Sequence, residues 1–567
     1  MTLYQVTQTT DNGNGDTVGT LSYAIRQANV NTGTDAIEFK TNVRITNVMK
    51  TLPNSDIVVI GNGKTVSGDA NNNGQTDDGD LRPFFIKSGD VKFYDLTITN
   101  STAKGGNGSG GGAGMGGGMF IYGGKVSLSN VTLSNNRAQG GNGTDYSRGG
   151  GGMFGNGSDG GGGLFGSSSG DDGGYGGNGN YGGGKGGFGG GADVGKPGGF
   201  GGGGGFSGGG GDDGSYGGFG GGGGSGGLGG GGGKGGFGGG GGFGPAGGGR
   251  GGDGGGRGER YKGGGGAGMG GAIFMRSGTL TLNSVNLNNN SASGGSGGSE
   301  GFGDTNGIGL GGALFIMQDT DTNLNNQGMP TTLPTVVSEG TQPTYSGNSG
   351  TNSTNNDNVF GTVNTVTDSK AGNNTINGTN NSNTLDGGSG NDTINGLGSN
   401  DILIGGIGND NLNGGAGSDI LYGGLGSDNL NGGAGNDSLI GGAGSDRFIF
   451  NSGQRFTQDN AEQVGQDTIT DFVQGSDKIV LSKTTFTGIK SAVGDGFSQS
   501  AEFRVVENTN ALSNLLLGTL GSANIVYNKQ TGGLNYISDS PVELRFTRIA
   551  TIQGSPPLTA TDFEITP

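Results

Sequence analysis

From Gly387 to Ile449 the chain repeats every nine residues, reading GGSGNDTIN, GLGSNDILI, GGIGNDNLN, GGAGSDILY, GGLGSDNLN, GGAGNDSLI and GGAGSDRFI. No other feature constrains the fold as strongly, because short identical units bury their apolar face only by stacking on one another. The sixth place is always aspartate: Asp392, Asp401, Asp410, Asp419, Asp428, Asp437 and Asp446. The eighth is always apolar: Ile394, Leu403, Leu412, Leu421, Leu430, Leu439 and Phe448. Six residues of each unit suit a turn, in which glycine permits positive φ and close backbone approach. The last three suit a short strand with its apolar side chain inward. In the second unit Leu397 and Ser399 stand where glycines are expected, which puts any site using that loop in question. Upstream, SKAGNNTIN and GTNNSNTLD keep Ile376 and Leu385 but carry Asn374 and Asn383 in place of aspartate, so they read as degenerate, cation-poor coils.

What the aspartates can bind follows from what the chain lacks. Its 567 residues include no Cys, His or Trp. Disulfides, thiolate or imidazole metal sites and histidine-based triads are excluded, and any metal must have oxygen ligands. With 47 acidic against 30 basic residues and a net charge of -17, the surface repels nucleic acid and anionic membranes and suits hard cations. No apolar run reaches the roughly 18 residues that would span a bilayer. Met1 to Asp16 has neither the basic nor the apolar region of a secretory signal peptide, so Sec-type export is not expected. Composition by itself leaves a cytosolic protein open.

The period matches G-G-x-G-x-D-x-U-x, with U a large apolar residue, and so resembles the nonapeptides of RTX (haemolysin-type) calcium-binding proteins. The resemblance implies a parallel β-roll over 369–450 in which two units complete one coil. Coils about 4.8 Å apart would set aspartates on one edge repelling by roughly 1 to 3 kcal/mol per pair at effective dielectric constants of 80 to 20. Without a cation the stack should not form. The resemblance also implies that Ca2+ lies between stacked turns, held by the seven aspartates and by backbone carbonyls that include Gly387, Gly405, Gly414, Gly423, Gly432 and Gly441. A separate candidate is DANNNGQTDDGD, which fits the EF-hand loop spacing with Asp69, Asn71, Asn73, the Gln75 carbonyl, Asp77 and Asp80, and Gly74 at the turn. Its twelfth residue is Asp rather than Glu and no helices are predicted beside it, so a plain polar loop is an equal alternative. After the repeats, DRFIFNSGQRF, DTITDFVQGSDKIVL (467–481) and LTATDFEITP resemble the segment that caps RTX β-rolls and the region that type I secretion systems recognise. That implies a capping and secretion role for 451–567. A generic β-sandwich tail would explain the strands but not their pairing with nonapeptides.

Residues 1–368 read as a second all-β body, a right-handed parallel β-helix. Short β-branched and aromatic runs such as Asp56 to Ile60 and Val91 to Ile98 alternate with Asn, Asp and Gly. Thr20 to Asn29 carries Leu21, Ala24, Ile25 and Ala28 at helical spacing and is predicted to be a small capping helix, as in many extracellular β-helix proteins. A long segment occurs twice, from Ala113 and from Ala267, with a weaker third copy, LGGALFI, from Leu310. Val126, Leu128, Val131 and Leu133 then correspond to Leu280, Leu282, Val285 and Leu287. These copies resemble β-helix coils of the polymorphic outer-membrane-protein type, a pair of hairpins being the alternative. Asparagines 135, 136, 288, 289 and 290 could form a side-chain ladder at a corner. Between the copies, about 140–266 is dominated by glycine. A flexible linker is the ordinary reading, and packed polyproline-II-like strands are the competing one. Residues 322–368 read as a linker or as irregular final coils.

The expected function is a secreted, calcium-binding structural or surface-assembly protein, similar to cyanobacterial surface-fibril and S-layer-like RTX proteins. Its partners would be calcium, a type I secretion apparatus, and either further copies of itself or cell-surface polysaccharide. A non-enzyme is expected, since RTX proteases and lipases need histidine. A polysaccharide lyase or epimerase, a combination of β-helix and RTX modules seen in alginate epimerases, and an adhesin for glycan or ice are the alternatives.

Overall fold

The computed structural model describes residues 2–144, 149–153, 155–157, 161–163, 198–207, 212–260, 262–297, 305–318, 329–351, 357–365, 370–452, 465–509, 524–537 and 546–567. The chain divides into two compact units, 2–366 and 367–567. Both are β-structures built from stacked parallel strands, and no helix among the described residues is long and apolar enough to cross a membrane.

The first unit is a parallel β-helix. One face runs through Leu3–Val6, Asp35–Phe39, Ile57–Ser67, Asp90–Thr99, Lys125–Ser129, Thr279–Asn283, Thr335–Ser338 and Asn364–Thr365. A second stacks Phe84–Ile86, Met119–Ile121, Ile273–Met275, Leu314–Ile316 and Val359–Phe360. The repeat found in the sequence is the coil: Val126 pairs with Leu280, Leu128 with Leu282 and Leu133 with Leu287, all facing the core. The third copy takes the same register, with Gly268 opposite Gly309 and Ile273 opposite Leu314. Strands at Thr335–Ser338, Thr344–Ser346 and Val359–Phe360 make the described residues of 329–365 final coils rather than a linker. At the other end the predicted helix spans Leu21–Ala28, capped by the Thr20 hydroxyl accepting the Tyr23 amide, and it buries Leu21, Ala24, Ile25 and Ala28.

The corner asparagines do two different jobs. Asn136, Asn290 and Asn348 form a ladder: the Asn136 and Asn290 side-chain amides each donate 3.0 Å bonds to the next oxygen. Asn135 and Asn289 are not in it. They sit at φ 54°, the left-handed conformation that asparagine tolerates better than other non-glycine residues.

The glycine-rich insertion is packed where it is described, so the flexible-linker reading does not hold there. Amides of Gly198, Gly201 and Gly204 donate to carbonyls of Tyr216, Phe219 and Gly222, and those of Gly217, Gly220 and Gly223 to Lys234, Phe237 and Gly240. Bonds every third residue between segments running the same way follow the period of polyproline II, not the alternation of a strand. A side chain cannot fit there: a methyl group on Gly222 would collide with the Gly110 carbonyl. Phe200, Phe219 and Phe237 lie at the turns and stack 5.1 and 5.2 Å apart. They meet, edge to face, a second stack on the β-helix made by Phe85, Phe120, Phe274, Phe315 and Phe360.

The second unit carries the nonapeptides in two sheets. Alternate units enter alternate sheets, so residues 18 apart are neighbours: Ile394, Leu412, Leu430 and Phe448 on one side, Leu385, Leu403, Leu421 and Leu439 on the other. Strands such as Thr393–Gly398 are six residues long, because the predicted three-residue strand runs on through the first three residues of the next unit. Beyond the nonapeptides the spacing changes but the stacking does not. The strands Asp467–Ile469 and Lys478–Ser482 continue the two sheets, and Phe546–Ile552 and Phe563–Thr566 stack on them in parallel. One apolar core therefore runs from Ile394 to Ile565.

Candidate metal centre

The turn between successive strands places each aspartate on an edge of the roll but beneath its surface. All seven are at most 2% exposed. One carboxylate oxygen along these columns is used structurally: Oδ1 of Asp410 accepts the Asp392 amide at 2.7 Å, Asp419 that of Asp401 at 2.7 Å, Asp428 that of Asp410 at 2.7 Å and Asp437 that of Asp419 at 2.8 Å. Asp446 does the same for Asp428 at 3.0 Å. Each edge is thus a column in which one coil's carboxylate caps the backbone of the coil before it.

The other oxygen is free. Oδ2 of Asp392, Asp401, Asp410, Asp419, Asp428 and Asp437 is buried without a hydrogen-bond partner. Beside it lies a carbonyl from the neighbouring coil. A methyl group placed on Gly387, Gly396, Gly405, Gly414 or Gly423 would lie within 2.6 Å of both the Oδ2 of its own unit's aspartate and the carbonyl of Gly405, Gly414, Gly423, Gly432 or Gly441 respectively. A carboxylate and a carbonyl oxygen therefore converge on space that only glycine leaves open. Bare oxygens of this kind are costly when buried unless a donor or a cation reaches them, and an all-oxygen set suits calcium. The degenerate coil supplies a control. At Gly378 the equivalent oxygens are the Gly396 carbonyl and Asn383 Oδ1, but the Thr379 amide at 2.7 Å already satisfies Asn383.

Electrostatics point the same way. Burial pushes the Asp410 carboxyl up to about 6, Asp419 to about 7 and Asp428 to about 8; the amide bonds described above oppose the shift, and the neighbouring carboxylates add to it. Burial likewise raises Asp437 and Asp446 to about 6 and lifts Asp401.

Several placements differ from the sequence reading. Leu397 and Ser399 adopt φ 77° and 66°, and Gly396, left out of the predicted set, stands beside Asp401 Oδ2 and the Gly414 carbonyl as the glycines of the regular units do beside theirs. The position that would face the Gly387 carbonyl, 369, lies outside the described residues, and Gly387 itself stands beside Asp392 Oδ2 and the Gly405 carbonyl. Two aspartates were missed. Asp467 accepts the Asp437 amide at 3.1 Å and Asp477 the Asp446 amide at 2.9 Å, so the columns continue past the repeat. Burial raises both carboxyls. Their signal was present as Asp-x-Ile, in Asp467-Thr468-Ile469 and Asp477-Lys478-Ile479.

The family model for the RTX calcium-binding nonapeptide repeat (four copies) matches residues 369–403, 395–430 and 422–456. These are RTX repeats. RTX nonapeptide repeats bind Ca2+, and the oxygens left bare along the two columns fit that ion. No curated relative matches the chain. In the RTX array, Asp392, Asp401, Asp410, Asp419 and Asp428 with the carbonyls of Gly405, Gly414, Gly423, Gly432 and Gly441 are the residues that would hold calcium, and the ion would supply the positive charge that each edge lacks; Asp437 and Asp446, also predicted, have no such carbonyl among the nearest atoms of their glycines.

The loop Asp69–Asp80 lies in the other unit, between the strands Ile57–Ser67 and Phe84–Ile86, with no flanking helix. Asp69, Asn71, Asn73, Gln75, Asp77 and Asp80 are gathered by bonds within the loop, and Gly74 sits at φ 74°. Burial lifts the Asp80 carboxyl to about 6.

Proposed function

We propose that the chain is a secreted, non-catalytic structural protein whose RTX array folds on extracellular calcium and whose β-helix serves surface assembly. The observation that carries this reading is the file of buried, unpartnered Oδ2 atoms from Asp392 to Asp437. Neutralisation of these carboxylates is the condition for the roll to close. With dissociation constants near 0.1 mM, calcium at about a hundred times that value contributes roughly 2.7 kcal/mol per site. Several sites together outweigh a typical domain stability of about 5 to 15 kcal/mol. At cytosolic calcium the array stays unfolded, in a state suited to a type I secretion channel, with 451–567 as the recognised end. The lack of histidine and cysteine supports a role without catalysis. Self-association or cell-surface polysaccharide is the proposed anchor. Treating intact cells with chelator tests the reading: release of an ordered layer containing this chain supports it, whereas retention on the cell, or polymer-degrading activity in the medium, sinks it.

A further inference from the structure

The twelve residues Asp69–Asp80 lie outside the RTX array, in the β-helix unit. Asp69 and Asp80 are 5% and 2% exposed although they belong to a surface loop. Asp69 turns inward, its two oxygens accepting the Asn73 amide at 3.0 Å and the Gly74 amide at 2.7 Å. The side-chain Nδ2 groups of Asn71 and Asn73 donate to Asp77 Oδ2 at 2.6 and 2.8 Å, which gathers the three side chains at one spot. The Asn71 and Asn73 oxygens each accept one backbone amide and retain a second lone pair. Asp80 is the telling residue. Its Oδ2 accepts the Asp77 amide at 2.6 Å, which fixes the carboxylate under the loop, yet its Oδ1 is buried with no hydrogen-bond partner.

The loop is also anchored from outside. Asp78 pairs with Lys104 and Arg137, and the Thr76 hydroxyl donates to the Asn135 carbonyl at 2.6 Å. Lys104 and Arg137 are thereby engaged by Asp78, while Asp69 and Asp80 are buried within the loop and Asp77 stays half-exposed.

We infer that Asp69–Asp80 is a calcium site of the β-helix, independent of the RTX array, with Asp69, Asn71, Asn73, the Gln75 carbonyl and Asp80 as ligands and Asp77 reaching the ion through water. The donors are all oxygen and come from a single loop, which suits the larger, less exacting coordination of calcium better than the strict octahedron of magnesium. A short aspartate at the twelfth position offers a less favourable closing ligand than glutamate. Affinity therefore falls in the range of extracellular modules, about 0.1 to 1 mM. Bound there, calcium ties the loop to the two successive coils that carry Lys104 and Arg137.

The test uses the full chain with calcium as the only added ligand and reads amide hydrogen exchange by peptide. In the wild type, about 5 mM calcium, above that range, slows exchange over 69–80 at least tenfold. In Asp80→Asn, and separately in Asp69→Asn, that protection disappears while the calcium response of 387–446 persists. Exchange at 119–133 and 273–287 verifies that each variant keeps the β-helix. Unchanged exchange at 69–80 in the wild type, or equal protection in both variants, overturns the site. Absence of the response at 387–446 in the wild type would instead sink the reading of the array, so the two failures are distinguishable.

Discussion

At the scale of single residues, the array turns on aspartates with one oxygen committed to the backbone and one left open. Asp428→Asn keeps the bond to the Asp410 amide but removes a charge from the column. The expected result is about one calcium fewer by titration calorimetry and, at about a hundredfold over the dissociation constant, a loss near 2.7 kcal/mol. Gly405→Ala tests the same site from the opposite wall, because its methyl group would crowd Asp410 Oδ2 and the Gly423 carbonyl. It should weaken calcium binding without changing any charge. Dependence on pH has a definite sign. Asp410, Asp419 and Asp428 titrate at about 6, 7 and 8 in the folded, metal-free array, above an ordinary aspartate. Between about pH 4 and 8 the folded state therefore holds more protons than the unfolded one, and stability falls as pH rises. In chelator, circular dichroism should show the array more folded at about pH 5 than at about pH 8. With calcium the order reverses, because the ion requires the ionised carboxylates that protons occupy at low pH.

At the scale of elements, periodicity was legible wherever it was short and unbroken. The nine-residue period and the pairing of Val126 with Leu280 could be read because one residue type recurs at one place, whereas the division into a six-residue turn and a three-residue strand could not, the strands being six residues long. Asp467 and Asp477 escaped because their partners lie 30 and 31 residues away instead of 18. Insertions hid the period while leaving the Asp-x-Ile strand in place. The glycine-rich segment was ambiguous for a different reason. Glycine carries no pattern of burial, so packed polyproline-II strands and a flexible chain have nearly the same composition. What distinguishes them here is the Phe200, Phe219 and Phe237 stack against Phe120 and Phe274. Phe219→Ala should cost about 3 to 5 kcal/mol and speed amide exchange across 217–223. Gly222→Ala should do likewise, since its methyl group has no room beside the Gly110 carbonyl.

At the scale of the molecule, two units with separate cores depend on different forces. The β-helix is held by apolar side chains stacked through its coils, and the array by a thinner core together with the charge balance of its edges. Calorimetry should resolve two unfolding transitions. Removing calcium should lower the array's transition strongly and the β-helix's only by the increment of one site. The sequence by itself determined that the chain is all-β, that it stacks, and that its metal ligands are oxygen, because a nine-residue period and the lack of His and Cys admit little else. Only the tertiary structure decided which oxygens remain open, that Gly396 stands beside Asp401 Oδ2 and the Gly414 carbonyl despite Leu397 and Ser399, and that glycine strands pack on a phenylalanine stack. Those outcomes depend on which atoms of distant residues meet once the coils are in register, and a linear pattern does not contain that information.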